Sequence, residues 1–339
     1  MTEIILSDMI VNLLIIGASF FVLDSSSNLT IGNAIKVSKV TRLSKTAVGF
    51  SLIAFSTSLP ELTVAFIAAL SGDTAISVGN VLGSNIVNIC FIVGMASVIL
   101  YFRRPFGSNG SNVIPSFARD ELSSIYFGLF ISSMIPLTLV YISQATWLVG
   151  LFLIFTFAIY IYQLSKVRLP PENSDTLVQN EQNRLKRYLA FTVLGVVGVV
   201  ISAYFLVESA VAIAQSIGIP QSVIGATIIA FGTSLPEVTL DLKSFMKGHS
   251  ALAFGDIIGS SFVNITLILG ITLFLPALVG RTVVLNMIVF QNLVIFSIIT
   301  NLFFWYFLSR EKLGWREGVM FLFIYVLFLT TTLGIIQPH

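Results

Sequence analysis

The sequence is poor in what soluble proteins and most metal-binding proteins rely on. Only 10% of its 339 residues are charged, against about a quarter in ordinary domains. With 56% hydrophobic residues and a mean hydropathy of +0.96, a soluble globular fold is excluded. A helical membrane protein is expected instead. The single cysteine, Cys90, rules out an internal disulfide and any multi-cysteine metal centre, and should pack as a small hydrophobe. The two histidines, His249 and His339, fall at segment ends, which leaves Ser–His chemistry without a partner. No GxxxxGK occurs, so ATP-driven pumping has no visible motor. The N-terminal MTEIILSDMI lacks the basic region of a cleaved signal, and its apolar run reads as a retained first helix.

What is present is a succession of long apolar runs. Ten reach the roughly 20 residues that a spanning helix needs: 4–37, 47–70, 74–102, 122–142, 146–164, 188–217, 223–246, 251–279, 283–308 and 318–336. The sizeable hydrophilic connection is 168–187 (RLPPENSDTLVQNEQNRLKR), rich in Pro, Asn and Gln and read as a flexible linker. If successive segments cross the membrane, 17 of the 18 basic residues fall on one side, with Arg281 alone on the other. By the bias of Lys and Arg toward the cytoplasm, the linker is cytoplasmic and both termini lie outside, in a cell (plasma or inner) membrane. The expected fold class is therefore an all-α polytopic membrane protein. Its ten transmembrane helices form two inverted five-helix repeats, 1–167 and 188–339, around the cytoplasmic linker 168–187.

The inversion matters because the chain contains one stretch twice. Residues 49–94 and 225–270 align without gaps at an offset of 176, identical at 20 of 46 positions. The identities gather in Ala54-Phe55-x-Thr57-Ser58-Leu59-Pro60-Glu61 against Ala230-Phe231-x-Thr233-Ser234-Leu235-Pro236-Glu237. They gather again in Gly83-Ser84-x-x-Val87-Asn88 against Gly259-Ser260-x-x-Val263-Asn264. Inverted repeats are a common build for secondary transporters, with the site at the mid-membrane repeat interface.

Each proline should break or kink its helix. Irregular backbone at that depth is tolerated only in protein or along a polar cavity. The carbonyls around Ala54 and Ala230 should then turn inward, with the hydroxyls of Thr57, Ser58, Thr233 and Ser234. Ser58-x-x-Glu61 and Ser234-x-x-Glu237 also fit a capping box, but Gln would cap without the several kcal/mol that a carboxylate costs at that depth. Glu61 and Glu237, at equivalent positions, imply something positive between them. Ser84 with Asn88, and Ser260 with Asn264, share helix faces. As interhelical glue or as ligands, they extend the set. Every donor is a hard oxygen, which argues against zinc or copper. Calcium takes about 6–8 oxygens in flexible geometry, magnesium prefers to keep its waters, and sodium also accepts oxygens.

The TSLPE motifs followed by GNVLGSNIVN and GDIIGSSFVN resemble the alpha-repeats of sodium/calcium exchangers, in the cation/calcium exchanger superfamily, over essentially the whole chain. The resemblance implies antiport of calcium against sodium by alternating access. Glu61 and Glu237 would be the central metal ligands, joined by Asn88, Asn264, Thr57, Ser58, Thr233, Ser234, Ser84, Ser260 and the carbonyls of Ala54 and Ala230. Proton-coupled relatives typically carry GNAxE-like motifs where this chain has TSLPE, which favours sodium. A calcium/proton antiporter using the same two Glu is the alternative. One departure is Asn264, where some microbial members have Asp; two Glu still suffice for one divalent ion. Asp256, equivalent to Asn80, is expected near a cytoplasmic entrance by Lys247 rather than on the ion path. Asp241 and Glu208 are expected to be solvated or snorkelling. An intramembrane hydrolase using the two carboxylates and a passive channel remain open. Beyond transported calcium and sodium and the lipid bilayer, nothing implies a prosthetic group, a nucleic acid or an obligatory protein partner.

Overall fold

The computed structural model describes residues 2–71, 74–103, 114, 119–164, 184–216, 230–281 and 285–332. The expected linker 168–187 thus lies largely outside the described residues, as do 223–229 of the seventh expected segment. Elsewhere the chain is almost entirely helical. Helix α1 (Thr2–Thr41) precedes α2 (Lys45–Thr57), which is bent by 43° against α3 (Leu59–Ser71). There follow α4 (74–102), α5 (Arg119–Ile142), α6 (Trp147–Leu164) and α7 (Leu185–Ser216). The short α8 (Ala230–Thr233) leads into α9 (Leu235–Met246), and α10 (250–278), α11 (Gln291–Ser309) and α12 (Trp315–Thr332) complete the order. Among the described residues, seven helices are long and apolar enough to cross a membrane, or eight if the bent pair α2–α3 counts as one. An antiparallel pair of two-residue strands, β1 (Gln144–Ala145) and β2 (Leu285–Asn286), ties two connections together.

Both breaks fall at a serine rather than at the proline. Ser58 (φ −78°, ψ 8°) and Ser234 (φ −87°, ψ 4°) leave helical geometry, and a new helix begins one residue later. Pro60 and Pro236 then occupy the first turn of that helix, where a missing N–H removes no intrahelical bond. The new turn also places Glu61 and Glu237 at helix N-termini, the positive end of the peptide dipoles. Among the described residues, three π-helical stretches were not expected. One covers Gly49–Ile53, and two overlap at equivalent positions of the repeats, Val87–Val93 and Asn264–Ile268, the second beginning one residue later in the motif. Such bulges recur at functional sites because they re-aim side chains without ending a helix.

Helix α10 is the innermost element: every residue from Leu252 to Thr266 is buried. Small residues let α2 lie directly on it. A Cβ on Gly255 would strike the Thr46 carbonyl oxygen, and one on Gly259 would stand 2.6 Å from the Phe50 backbone. Phe50 then packs its ring on Tyr160 and Phe262, with centroids 5.1 and 5.6 Å away. This wedge fixes Thr57, at the end of α2, over Asp256 and Ser260 of α10. The long helices α1 and α7 run against each other outside this core, and Phe20 and Phe21 of α1 are left exposed for lipid.

The close approach has a measurable consequence. Gly255→Ala places a methyl group against backbone that has no side-chain freedom to yield, an overpacking worth about 1–3 kcal/mol. The detergent-solubilised variant is expected to unfold at a clearly lower temperature than the parent. An unchanged midpoint would contradict the packing of α2 on α10.

Candidate functional site

The repeated motifs meet in the interior. Glu61, Glu237, Thr57, Ser58, Ser84, Ser234, Ser260, Asn88 and Asn264 are all at most 4% exposed. Each Glu meets one hydroxyl of the opposite repeat, Ser234 for Glu61 and Thr57 for Glu237. Ser84 donates to Glu61 Oε1 at 3.5 Å, Ser234 donates to Ser84 at 3.1 Å, and Ser234 also reaches Glu61. On the other flank, the Thr57 hydroxyl serves Glu237 and stands 3.5 Å from Ser260 Oγ. Both carboxylates also accept their own backbone N–H in the first turn of their helices.

The second oxygen of each carboxylate has nothing. Glu61 Oε2 and Glu237 Oε2 have no hydrogen-bond partner, and neither do Ser58 Oγ, Asn88 Oδ1 or Asn264 Oδ1. A buried acceptor left in this condition costs about 1–3 kcal/mol, more when charged. No described basic side chain pairs with either Glu. Acceptors this concentrated suit a metal cation, and their all-oxygen chemistry suits a hard one.

The structure departs from the sequence reading at several residues. The capping box does not form: Ser234 makes no capping bond and Ser58 Oγ has no partner, which leaves the latter free for a ligand. The Ala54 carbonyl is not released by the break. It accepts from the Ser58 N–H at 3.1 Å and from the Thr57 hydroxyl at 3.3 Å, because the break falls after that bond closes. Ala230 opens α8. Thr233 is half-buried and donates to Asn80 Oδ1 at 3.2 Å.

Asp256 does not lie at a solvated entrance. It is 1% exposed and accepts from Thr57 at 3.4 Å and Ser260 at 3.3 Å, two of the expected ligands. Asp241 is also 1% exposed, so it neither snorkels nor meets water. It falls one turn after Glu237 on the same face of α9, and that face points inward. The four-residue spacing was the signal available in the sequence. Glu208 is exposed, in keeping with a solvated or snorkelling charge.

Asn85 is a further residue that the motifs did not single out. Its Oδ1 accepts from Asn264 Nδ2 at 2.9 Å, and its own Nδ2 donates to the Ser261 carbonyl at 3.4 Å. The contact fixes the Asn264 amide so that its nitrogen is used and its oxygen is left over. Asn85 and Ser261 are themselves equivalent positions, 176 residues apart.

The model of the sodium/calcium exchanger protein family matches residues 11–166 and 187–334. The chain belongs to this family. It is accordingly a multi-pass membrane exchanger and not an enzyme. A sodium/calcium exchanger of Methanosarcina acetivorans, MaX1, is 30% identical over 354 aligned positions, covering 94% of this chain and 97% of its own. The Escherichia coli inner membrane protein YrbG is 31% identical over 68% of this chain and 69% of its own. Among solved structures, the sodium-calcium exchanger NCX_Mj superposes with a TM-score of 0.79 over 95% of this chain and 99% of its own. Its 23% identity makes this a likeness of fold.

Asn85→Leu removes the partner of the Asn264 amide and buries an unpaired donor. It is expected to destabilise the solubilised exchanger by about 1–3 kcal/mol, read as a lower unfolding temperature. A neutral outcome would mean that Asn264 does not depend on Asn85.

Proposed function

We propose that this exchanger is a secondary active antiporter that carries calcium one way and sodium the other through one mid-membrane site built on Glu61 and Glu237. The observation that carries this reading is the pair of buried carboxylate oxygens without partners, Glu61 Oε2 and Glu237 Oε2, with no basic side chain among the described residues to balance them. Two carboxylates neutralise one calcium ion or two sodium ions. Asn88, Asn264, Thr57, Ser58, Thr233, Ser234, Ser84 and Ser260, with the Ala54 and Ala230 carbonyls, supply the remaining oxygens. The Ala54 carbonyl and the Thr57 hydroxyl join a cation together, since binding turns the hydroxyl proton away from that carbonyl. The relative MaX1 and the solved NCX_Mj are named for sodium and calcium exchange, in accord with this substrate pair.

The coupling follows from charge. With a cation bound, the site is close to neutral and the two halves can rock around it. Empty, it carries uncompensated carboxylates, and moving them through a low-dielectric interior costs several kcal/mol. Reorientation is thus restricted to loaded states, and ions exchange rather than leak.

The proposed frame is ten spans in two inverted five-helix halves, 1–167 and 188–339, with both termini outside a cell membrane and the 168–187 linker cytoplasmic. Side-to-side contacts agree with it. Arg281 donates to the Leu70 carbonyl and β1 pairs with β2, all in connections that the frame places outside. Lys45 and Lys247 both act on His249, in connections that it places inside.

Isotopic calcium uptake into proteoliposomes tests the reading directly. An outward sodium gradient is expected to drive uptake, and Glu61→Gln and Glu237→Gln are each expected to abolish it. Sodium-driven uptake that survives in both variants would overturn the proposal. Uptake driven by a pH gradient in sodium-free buffer would replace it with calcium/proton antiport.

A further inference from the structure

Far from the carboxylates, the two long outer helices enclose a groove of opposite charge. It lies between α1 and α7, has a volume of about 310 Å³, and is lined by Asn33, Lys36, Arg184, Arg187, Tyr188 and Phe191. The seam beside it is tight. Gly195 and Gly198 of α7 have no room for a Cβ against Thr30 and Ser26 of α1. One turn farther along, Phe191 and Tyr188 stand where glycines closed the seam, and the bulkier side chains leave a cleft.

The cleft is cationic. Lys36, Arg184 and Arg187 are exposed, and no acid among the described residues lines it. Lys36 Nζ stands 5.3 Å from the centroid of the Tyr188 ring, and Arg187 Cζ stands 5.4 Å from that of Phe191. A ring face holds a cation in place without consuming its N–H donors. Asn33 is 7% exposed and spends its amide nitrogen on the Leu29 carbonyl at 2.8 Å, so an anion here is met chiefly by the three cations. Deeper along α7, Val193, Leu194 and Val197 are exposed apolar residues facing outward. The groove therefore stands where a hydrocarbon-facing surface gives way to a basic one, which is the level of phospholipid headgroups. The general bias of Lys and Arg toward the cytoplasm accounts for the charge. It does not account for a cavity, or for ring faces that hold two of the cations over it.

We propose that the α1–α7 groove binds the phosphate of an anionic phospholipid through Lys36, Arg184 and Arg187, with the acyl chains along the exposed apolar face of α7. Guanidinium groups meet phosphate oxygens through paired N–H donors, and Lys36 adds a point charge. The volume lies at the low end of small-molecule cavities, about 300–1,000 Å³, and suits a headgroup rather than a whole lipid. A zwitterionic headgroup would bring its own cation into the groove and is disfavoured. The leaflet follows from the orientation proposed above; the site itself rests neither on that orientation nor on the exchange reading.

Native mass spectrometry of the full-length protein in neutral detergent, titrated with phosphatidylglycerol or phosphatidylcholine, reads the affinity of the first lipid bound. Wild type is expected to favour phosphatidylglycerol by about tenfold or more. The double variant Lys36→Gln/Arg187→Gln should lose about thirtyfold in phosphatidylglycerol affinity, at roughly 1 kcal/mol for each charge. Lys39→Gln/Lys186→Gln removes the same charge from neighbouring positions outside the groove, and should stay within about threefold of wild type. Equal losses in the two double variants would reduce the effect to charge near the bilayer and overturn the site. Equal wild-type affinity for the two lipids would overturn it as well. Displacement of phosphatidylglycerol by millimolar inorganic phosphate would make the ligand a soluble anion and overturn the lipid assignment, whereas retention of the lipid supports it. Should the double variant fail to fold, Lys36→Gln and Arg187→Gln singly, each expected to lose about fivefold, decide.

Discussion

Negative charge held in a dry interior without a positive side chain is the constraint that the rest of the molecule serves. Glu61 and Glu237 are enclosed, each has an oxygen with no donor, and no lysine or arginine of the described chain reaches them. A soluble protein would relieve this with water. Inside a membrane protein an ion, a proton or dipoles can relieve it, and the dipoles are already in place. Breaks at Ser58 and Ser234 begin new helices whose N-terminal turns carry the two carboxylates, which offsets part of the cost. The residual cost makes an empty site unstable and a loaded one mobile, which is the energetic condition for exchange.

Bringing the two carboxylates together depends on backbone proximity that only small residues allow. Thr46 and Phe50 of α2 seat on Gly255 and Gly259 of α10 with no room for a Cβ. That seat carries Thr57 to Asp256 and Ser260, so the hydroxyls of one repeat serve acids of the other. The π-helical stretches starting at Val87 and Asn264 belong to the same design. They contain Asn88 and Asn264, the two buried residues whose amide oxygens have no hydrogen-bond partner.

Much of this was legible in the sequence, because a repeated proline-and-carboxylate motif inside apolar segments has few structural meanings. Ser58, Ser234, Glu61, Glu237, Ser84 and Ser260, which the repeat singled out, are all buried. The break did not fall at the prolines, since a proline is tolerated in a first turn and the chain exploits that by breaking earlier. The Ser-x-x-Glu spacing suggested capping, yet the Ser234 hydroxyl turns to Ser84 and the Ser58 hydroxyl has no partner, which a linear pattern cannot reveal. Asp241 and Asp256 read as peripheral because they stand closer to helix ends than the motif glutamates do. Their burial follows from tertiary packing of α9 on α10, which sequence spacing alone does not report. Asn85 was invisible for a related reason: its partner, Asn264, lies 179 residues away.

The central claim is that Glu61 and Glu237 share one metal ion at the interface of the repeats. The most direct measurement is anomalous X-ray scattering from crystals of the protein equilibrated with calcium. The account predicts an anomalous peak between the two carboxylates, within ligand distance of both and lost when calcium is exchanged for sodium. A calcium-saturated crystal with no peak there, or with the two side chains turned apart toward lipid, would contradict it.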